Sequence, residues 1–173
     1  MAAKPIMIIE DDEGLSRLIS DILSDDGHNV TVFNDPYRAV AEFGHERFSL
    51  VITDVKMPKM DGIEVLDHVK RIDPNVPVII ITAHATVDVS IQALRKGAED
   101  LITKPFEAEE FLYRIRKVLR KKLKLALTTP QARQIRSSIL LTSFKLSRYS
   151  SMARKRNTGI RLMMTFIPMV ELI

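Results

Sequence analysis

Phe48-Ser49-Leu50-Val51-Ile52-Thr53 is an apolar stretch that ends in a carboxylate, Asp54, and a loop containing Pro58 and Gly62 follows at once. A short continuous apolar run is typical of a strand whose sheet is covered by helices on both faces. Such strands belong to parallel sheets, where ligands bind beyond the carboxyl ends. Asp54 is therefore predicted to end a buried strand and to point into a site.

The same strand pattern alternates with helical patterns along the first 122 residues. Strands are predicted over 6–9, 30–33, 48–53, 76–81 and 101–103, and helices over about 13–26, 35–44, 63–72, 86–96 and 107–122. Five successive strand–helix units predict an α/β fold, in which an open parallel sheet carries helices on both faces.

Charge divides the 173-residue chain into two unlike segments. Residues 1–119 hold 14 Lys and Arg against 21 Asp and Glu, a balance of −7, whereas residues 120–173 hold 12 basic residues and one acid, a balance of +11. We therefore predict a folded domain over 1–122 and a basic tail over 123–173. Such a tail is typical of a disordered or remnant segment, and nucleic acid is its alternative partner.

Composition also bears on the location of the protein. The chain has no cysteine, which rules out disulfides and thiolate metal sites and suits a reducing cytosol. Its amino terminus leads into a strand without the layout of a signal peptide. The apolar run at 160–173 contains Arg161 and Pro168 and is too short for a membrane span, so we expect a cytoplasmic protein.

Chemically compatible side chains follow four of the predicted strands. These are Glu10 and Asp11 after the first strand, Asp54 after the third, Thr82 after the fourth and Lys104 after the fifth. Because the carboxyl ends of parallel strands meet at one edge, we expect these side chains to converge. Carboxylates about 4 Å apart repel by roughly 4 kcal/mol at an effective dielectric near 20, so a hard divalent cation such as Mg²⁺ is predicted to hold them together.

This set of residues suits phosphoryl transfer to an aspartate. Asp54 is the predicted nucleophile, since aspartate accepts a phosphoryl group in some ATPases. The metal would bridge Asp54 and the phosphoryl oxygens. Lys104 would place its charge on one phosphoryl oxygen, and the Thr82 hydroxyl would donate a hydrogen bond to another.

Four separated motifs resemble those of the receiver domains of bacterial two-component response regulators. They are Glu10-Asp11, the stretch from Asp54 to Gly62, Ile81-Thr82-Ala83 and Lys104-Pro105-Phe106, in the order and approximate spacing of the family. The loop after Asp54 looks most like that of nitrogen-regulation-class receivers, which usually precede an ATPase module. The phosphate-cradling motif of such a module does not occur in residues 126–173.

The resemblance implies the strand order 2-1-3-4-5 and a set of site roles. Mg²⁺ would be bound by Asp11, Asp54 and the main-chain carbonyl of Lys56, with Glu10 contributing mainly through water. A sensor histidine kinase or phosphotransfer protein would donate the phosphoryl group to Asp54, and the domain would catalyse the transfer and its later hydrolysis. Lys56 and His84 would line the site.

Position 101 departs from the family pattern. Receivers commonly carry Tyr or Phe there, and rotation of that ring accompanies movement of the hydroxyl that corresponds to Thr82, whereas this chain has Leu101. We therefore predict weak coupling of phosphorylation to the face formed by the fourth helix, the fifth strand and the fifth helix. A homodimer would form through the same face.

The family also leads us to expect a cis bond between Lys104 and Pro105.

Two other functions remain open beside the phosphorylation-controlled switch. One is an aspartate-nucleophile phosphatase of similar sheet topology; such enzymes typically carry a second Asp two residues after the nucleophile as general acid, where this chain has Lys56. The other is a transcriptional regulator that binds DNA with its basic tail.

Asp12 is interpreted as a helix cap, and Asp61 and Gly62 as turn and helix-start residues.

Overall fold

Short apolar runs form the strands of one sheet in the computed structural model, which describes residues 3–83 and 85–128. The strands are β1 (Ile6–Ile9), β2 (Val30–Phe33), β3 (Leu50–Asp54), β4 (Val78–Thr82) and β5 (Asp100–Thr103). Their order is β2-β1-β3-β4-β5, and each neighbouring pair is parallel. The predicted fold class and strand order are confirmed.

Helices connect the strands, and the first four of them begin after polar capping residues. They are α1 (Glu13–Asp25), α2 (Pro36–Glu42), α3 (Gly62–Ile72), α4 (Val87–Arg95) and α5 (Ala108–Thr128). Asp12 caps α1 as predicted, because its side chain accepts a hydrogen bond from the main-chain nitrogen of Leu15 at 3.0 Å. Gly27 follows α1 with a φ of +83°, a left-handed conformation that glycine adopts without strain.

Alternate residues of each strand pack into two apolar layers on opposite faces of the sheet. One layer packs beneath α2, α3 and α4 and includes Met7, Ile9, Val51, Val65, Leu66, Val69, Val78, Ile80 and Ala93. The other packs beneath α1 and α5 and includes Ile6, Ile8, Ile19, Leu23, Leu50, Ile52, Ile79, Ile81, Phe111 and Ile115. Complete burial of a Val, Leu, Ile, Phe or Met side chain in these layers stabilises the fold by roughly 1.5–3 kcal/mol.

Two strands begin later than the apolar pattern predicted. Phe48 and Val76 are buried, yet β3 begins at Leu50 and β4 at Val78. Phe48 instead stacks on Phe43, with ring centroids 5.9 Å apart. The apolar pattern therefore marked where burial begins, which in both cases is two residues before the strand itself begins.

The last helix is longer than predicted. It continues past Lys122 to Thr128, so helical structure crosses the predicted domain boundary. Most of the predicted basic tail, and with it the proposed DNA contact of that tail, lies outside the described residues. Among the helices of residues 3–83 and 85–128, none is both long and apolar enough to cross a membrane.

Asp73, at the end of α3, ties together two loops near the amino ends of the strands. It is 3% exposed, and its carboxylate accepts hydrogen bonds from the main-chain nitrogens of Glu46 at 3.1 Å and Asn75 at 3.0 Å. Burial by itself would raise the pKa of Asp73, but these hydrogen bonds, helped by the charges of His45 and Lys122, outweigh it and the pKa lies below 3.8.

Replacing Asp73 with Ala is expected to lower the free energy of unfolding by about 1–3 kcal/mol at neutral pH, because two main-chain nitrogens lose a carboxylate acceptor in part-buried hydrogen bonds. The carboxylate's contribution is present above its unfolded pKa near 3.8 and is lost as pH falls through the lower folded pKa, so the deficit should narrow in acid. Urea unfolding at both pH values measures this. Asp21→Ala, at an exposed position in α1, is the matched control, and an equal loss there would contradict the assignment.

Candidate functional site

The register of the parallel strands places Glu10 beside Asp54. Ile9 of β1 lies opposite Thr53 of β3, so the next residue of each strand emerges at the same edge of the sheet. Both side chains are buried, with 2% of Glu10 and 9% of Asp54 exposed. Together with the exposed Asp11, they bring carboxylate oxygens within 4.8 Å of one another. The structure thus brings the three predicted acids together.

Lys104 reaches these acids from the end of β5. Thr82 of β4 pairs with Thr103, and the main-chain nitrogen of Lys104 donates to the carbonyl of Thr82 at 2.8 Å. The Lys104 Nζ donates to Glu10 Oε2 at 2.7 Å and to Asp54 Oδ2 at 3.0 Å. One ammonium therefore bridges two buried carboxylates that come from different strands.

Burial and charge act in opposite directions on the members of this cluster. Burial raises the pKa of Glu10 and the negative charge of Asp54 adds to the effect, while the hydrogen bond and charge of Lys104 partly offset it. Burial would lower the pKa of Lys104, but its hydrogen bonds to the two carboxylates and their charges outweigh it, so this pKa is raised. The pKa of Glu10 stays above its ordinary value because the contacts with Lys104 only partly offset the burial of this carboxylate.

The donor atoms of the cluster fit a hard divalent cation. Glu10, Asp11 and Asp54 supply carboxylate oxygens, the ligands that Mg²⁺ prefers. Against these three acids, the ammonium of Lys104 leaves a formal charge of −2. A divalent cation would neutralise that charge, so the residues present are compatible with a metal site.

Other predicted site residues lie nearby, with different exposures. Thr82 is 1% exposed at the end of β4. Lys56 is exposed in the loop after β3, two residues beyond Asp54. The Lys104–Pro105 bond is cis, as expected. His84 lies outside the described residues, and the roles assigned to these side chains remain predictions.

Gly62 allows α3 to begin directly against the main chain of Asp54. Its nitrogen donates to the carbonyl of Val55 at 2.9 Å. A Cβ at this position would lie 2.0 Å from the carbonyl oxygen of Asp54, far inside van der Waals contact. From the sequence, Gly62 was interpreted as a turn and helix-start residue, and the structure adds a requirement for close approach of the two main chains. Because Gly62 has no Cβ, α3 can pack directly against the main chain of Asp54, the predicted phosphoryl acceptor.

Asp61 has a purely local role that matches its interpretation as a helix-start residue. Its side chain accepts a hydrogen bond from the nitrogen of Glu64 at 2.8 Å, and the Glu64 carboxylate accepts from the nitrogen of Asp61 at 2.9 Å. This reciprocal capping box fixes the first turn of α3. The loop between Asp54 and α3 is thereby held at both ends.

Asn34 was missed by sequence reasoning. Its Nδ2 donates to the carbonyl of Glu10 at 2.7 Å and to the Ser16 hydroxyl at 2.9 Å, which joins the ends of β1 and β2 to α1. An amide side chain directly after a strand was the available signal, because β2 ends one residue earlier. Asn34 orients the backbone from which the acidic pair emerges.

The fold and this edge define an α/β protein of the doubly wound class, with an acidic site at the carboxyl ends of the strands. Residues 6–116 match the response regulator receiver domain, and the chain belongs to that family. The resemblance inferred from the four motifs is confirmed.

Curated proteins of similar sequence share this domain. The response regulator protein FleR of Pseudomonas aeruginosa is 41% identical over 112 residues, covering 65% of this chain and 24% of FleR. The nitrogen assimilation regulatory protein NtrX of Azorhizobium caulinodans is 35% identical over 112 residues, covering 64% of this chain and 25% of NtrX. The chain thus spans about a quarter of the length of these curated relatives.

Solved receiver structures superpose on most of the chain. A CheY-like receiver domain protein from Methanospirillum hungatei JF-1 is 28% identical with a TM-score of 0.68, covering 71% of this chain and 98% of that one. A receiver domain protein from Clostridium thermocellum is 31% identical with a TM-score of 0.65, covering 72% and 99% of the two chains. These neighbours support the fold assignment independently of the motifs.

Gly62→Ala is expected to destabilise the domain by roughly 1–3 kcal/mol, because the added Cβ would push against the main chain of Asp54. Alanine is otherwise the better helix former by about 1 kcal/mol, so a loss reports the clash. Gly44→Ala is the matched control, since its Cβ would meet no atom closer than 3.9 Å. Denaturant midpoints measure both variants, and equal stability of the two would contradict the close-approach role.

Proposed function

We propose that Asp54 is the phosphoacceptor of a two-component signalling switch. A sensor histidine kinase or phosphotransfer protein would present a phosphohistidine at the carboxyl edge of the sheet. An Asp54 carboxylate oxygen attacks phosphorus, the phosphorus–nitrogen bond breaks and the neutral imidazole leaves. Water later attacks the resulting acyl phosphate, which releases inorganic phosphate and restores the carboxylate.

Lys104 and Thr82 stabilise charge in this reaction. The Lys104 ammonium, 3.0 Å from Asp54 in the free protein, moves its contact to a phosphoryl oxygen as that oxygen gains charge. The Thr82 hydroxyl, at the end of the neighbouring strand, donates a hydrogen bond to a second phosphoryl oxygen. Both groups come from strand ends, where pairing of β4 with β5 holds the backbone that carries each side chain.

Mg²⁺ is the cofactor that we propose for this site. Asp11, Asp54 and the main-chain carbonyl of Lys56 would hold it, and Glu10 would contribute mainly through water. When bound, the ion supplies neutralisation of negative charge between the acceptor and the phosphoryl group. The formal charge of −2 left by three acids and one lysine supports a divalent ion.

The single observation that carries this proposal is the bridge made by Lys104. A lysine that binds two buried carboxylates would supply the cation that a phosphoryl oxygen on Asp54 needs, which supports the proposal. The phosphatase alternative lacks such support, because the position two residues after Asp54 is Lys56, which is a poor general acid beside the leaving group. We therefore favour a switch that carries one long-lived phosphoryl group over an enzyme that turns over phosphomonoesters.

Incubation of the full chain with Mg²⁺ and acetyl phosphate is expected to add one phosphoryl group, measured by intact mass. Asp54→Asn removes the nucleophile and should abolish the adduct, and chelation of Mg²⁺ should strongly slow its formation. Asp61→Asn is the matched control, because asparagine also caps helices and the site keeps its acids. Persistence of the adduct in Asp54→Asn, or sustained hydrolysis of phosphomonoesters, would contradict the proposal.

We propose that the signal leaves through α4, β5 and α5. Val87, Ile91 and Leu94 form a stripe on α4 at i, i+4 and i+7 and are 74%, 43% and 59% exposed. An exposed apolar stripe beside a phosphorylation site is suited to a contact that changes with phosphorylation, including contact with a second copy of the chain. Leu101 on the adjoining strand is half-buried against the layer beneath α2, α3 and α4.

Leu101→Tyr is expected to strengthen the coupling between the site and this surface, because a phenol ring can exchange between buried and exposed positions. Backbone amide NMR shifts of α4, measured with and without phosphorylation, should change more in this variant than in the parent. Leu101→Met, which keeps an aliphatic-sized side chain, is the control. Equal changes in all three proteins would count against the coupling role of position 101.

A further inference from the structure

The outer face of α5 carries a line of exposed side chains, three of them basic. Tyr113, Lys117, Arg120 and Lys124 follow one another at intervals of four, three and four residues, which places them on one side of the helix. All four are exposed. Together they form what we term the α5 basic face, and it lies on a different element from the residues of the acidic site.

The cations of the α5 basic face have no protein partner in the described part of the chain. Within residues 3–83 and 85–128, no hydrogen bond or ion pair engages the side chains of Lys117, Arg120 or Lys124. Basic residues on the flanks of the helix are instead paired: Arg114 with Asp100, Arg116 with Asp26, and Lys121 with Glu99. Fold stability therefore accounts for the flanking charges and leaves those of the outer face unexplained.

The surroundings of this face favour an anionic ligand. A surface cavity of about 230 Å³ lies along it, lined by Tyr113, Arg116, Lys117 and Arg120. No Asp or Glu occurs between residues 111 and 170 of the sequence, so the acids of α5, Glu109 and Glu110, lie in its first turn, before the cations of the outer face. Their combined field attracts a polyanion and repels other cations.

The packing of α5 distinguishes between two kinds of polyanion. A helix that lies on a lipid surface inserts its apolar face between the headgroups. In α5 that face is already used, because Phe111, Ile115 and Val118 are at most 6% exposed against the sheet. The outer face can therefore act mainly through charge, which matches a phosphodiester backbone better than a bilayer.

We propose that the α5 basic face binds the phosphate backbone of duplex nucleic acid without sequence preference. Lys117 and Lys124 are separated by about 10 Å along the helix at 1.5 Å per residue, which corresponds to roughly three base-pair steps of 3.4 Å. Three cations on that line match about three phosphates. The α5 basic face and the acidic site share no residue, so a substitution of Asp54 leaves the cations of this face in place.

Fluorescence anisotropy of a labelled DNA duplex, titrated with the full chain over a range of NaCl concentrations, tests the proposal. The triple variant Lys117→Gln, Arg120→Gln, Lys124→Gln is expected to bind at least about tenfold more weakly at low salt. The slope of log affinity against log salt should become shallower by about 3, or roughly one for each cation removed. A slope unchanged from the parent would place binding elsewhere on the chain and overturn the proposal.

A matched variant separates this face from net charge. Arg17→Gln, Arg38→Gln, Arg71→Gln removes the same charge from exposed positions on α1, α2 and α3 and is expected to keep the parent slope. An equal loss in this control would overturn the proposal. Circular dichroism and the denaturant midpoint confirm that both triple variants fold.

Two further measurements assign the ligand and separate the sites. Sedimentation with phosphatidylglycerol vesicles tests the lipid surface, and a triple variant that lost vesicle binding while keeping duplex binding would overturn the nucleic-acid assignment. Asp54→Asn should retain the parent affinity for the duplex. The proposal on α5 can therefore fail while that on Asp54 stands, and the reverse.

Discussion

Three carboxylates lie closer together at the edge of the sheet than their charges favour. With oxygens within 4.8 Å, a pair of charges repels by at least about 3.5 kcal/mol at an effective dielectric of 20. Several unrelated parts of the fold act against that repulsion. Lys104 bridges two of the acids, Asn34 fixes the main chain at Glu10, and Gly62 lets α3 pack against Asp54. The paired strands of the sheet fix the backbone from which these side chains emerge.

The apolar pattern was sufficient to predict a parallel sheet and the meeting of the acids, whereas the strand order came from the resemblance to receiver domains. Parallel strands show nearly unbroken apolar runs, and register aligns whatever residue follows each run, so Glu10, Asp54 and Lys104 could be brought together without coordinates. Phe48 and Val76 show the limit of the pattern, since a residue can be buried before the ladder of its strand begins. Burial and hydrogen-bonded pairing are separate properties that apolar periodicity does not distinguish.

Contacts that depend on a single atom were beyond sequence reasoning. Gly62 was expected for its turn geometry, but its importance is the missing Cβ beside the Asp54 carbonyl, which only three-dimensional packing reveals. Asn34 is similar, because an amide after a strand has many possible partners and the structure selects two. The length of α5 was underestimated because its last turns extend past Lys122 with exposed leucines, Leu123 and Leu125, that follow no core-facing pattern.

The bridge made by Lys104 joins residues far apart in the chain, separated by 94 positions from Glu10 and by 50 from Asp54. During synthesis on the ribosome, β1 and β3 emerge long before the strand that delivers this ammonium. A nascent chain can therefore pair its first strands while the acidic edge still lacks its cation. The acidic edge gains its cation only when β5 joins β4, so the complete cluster of charges forms only in a chain that has finished folding its sheet.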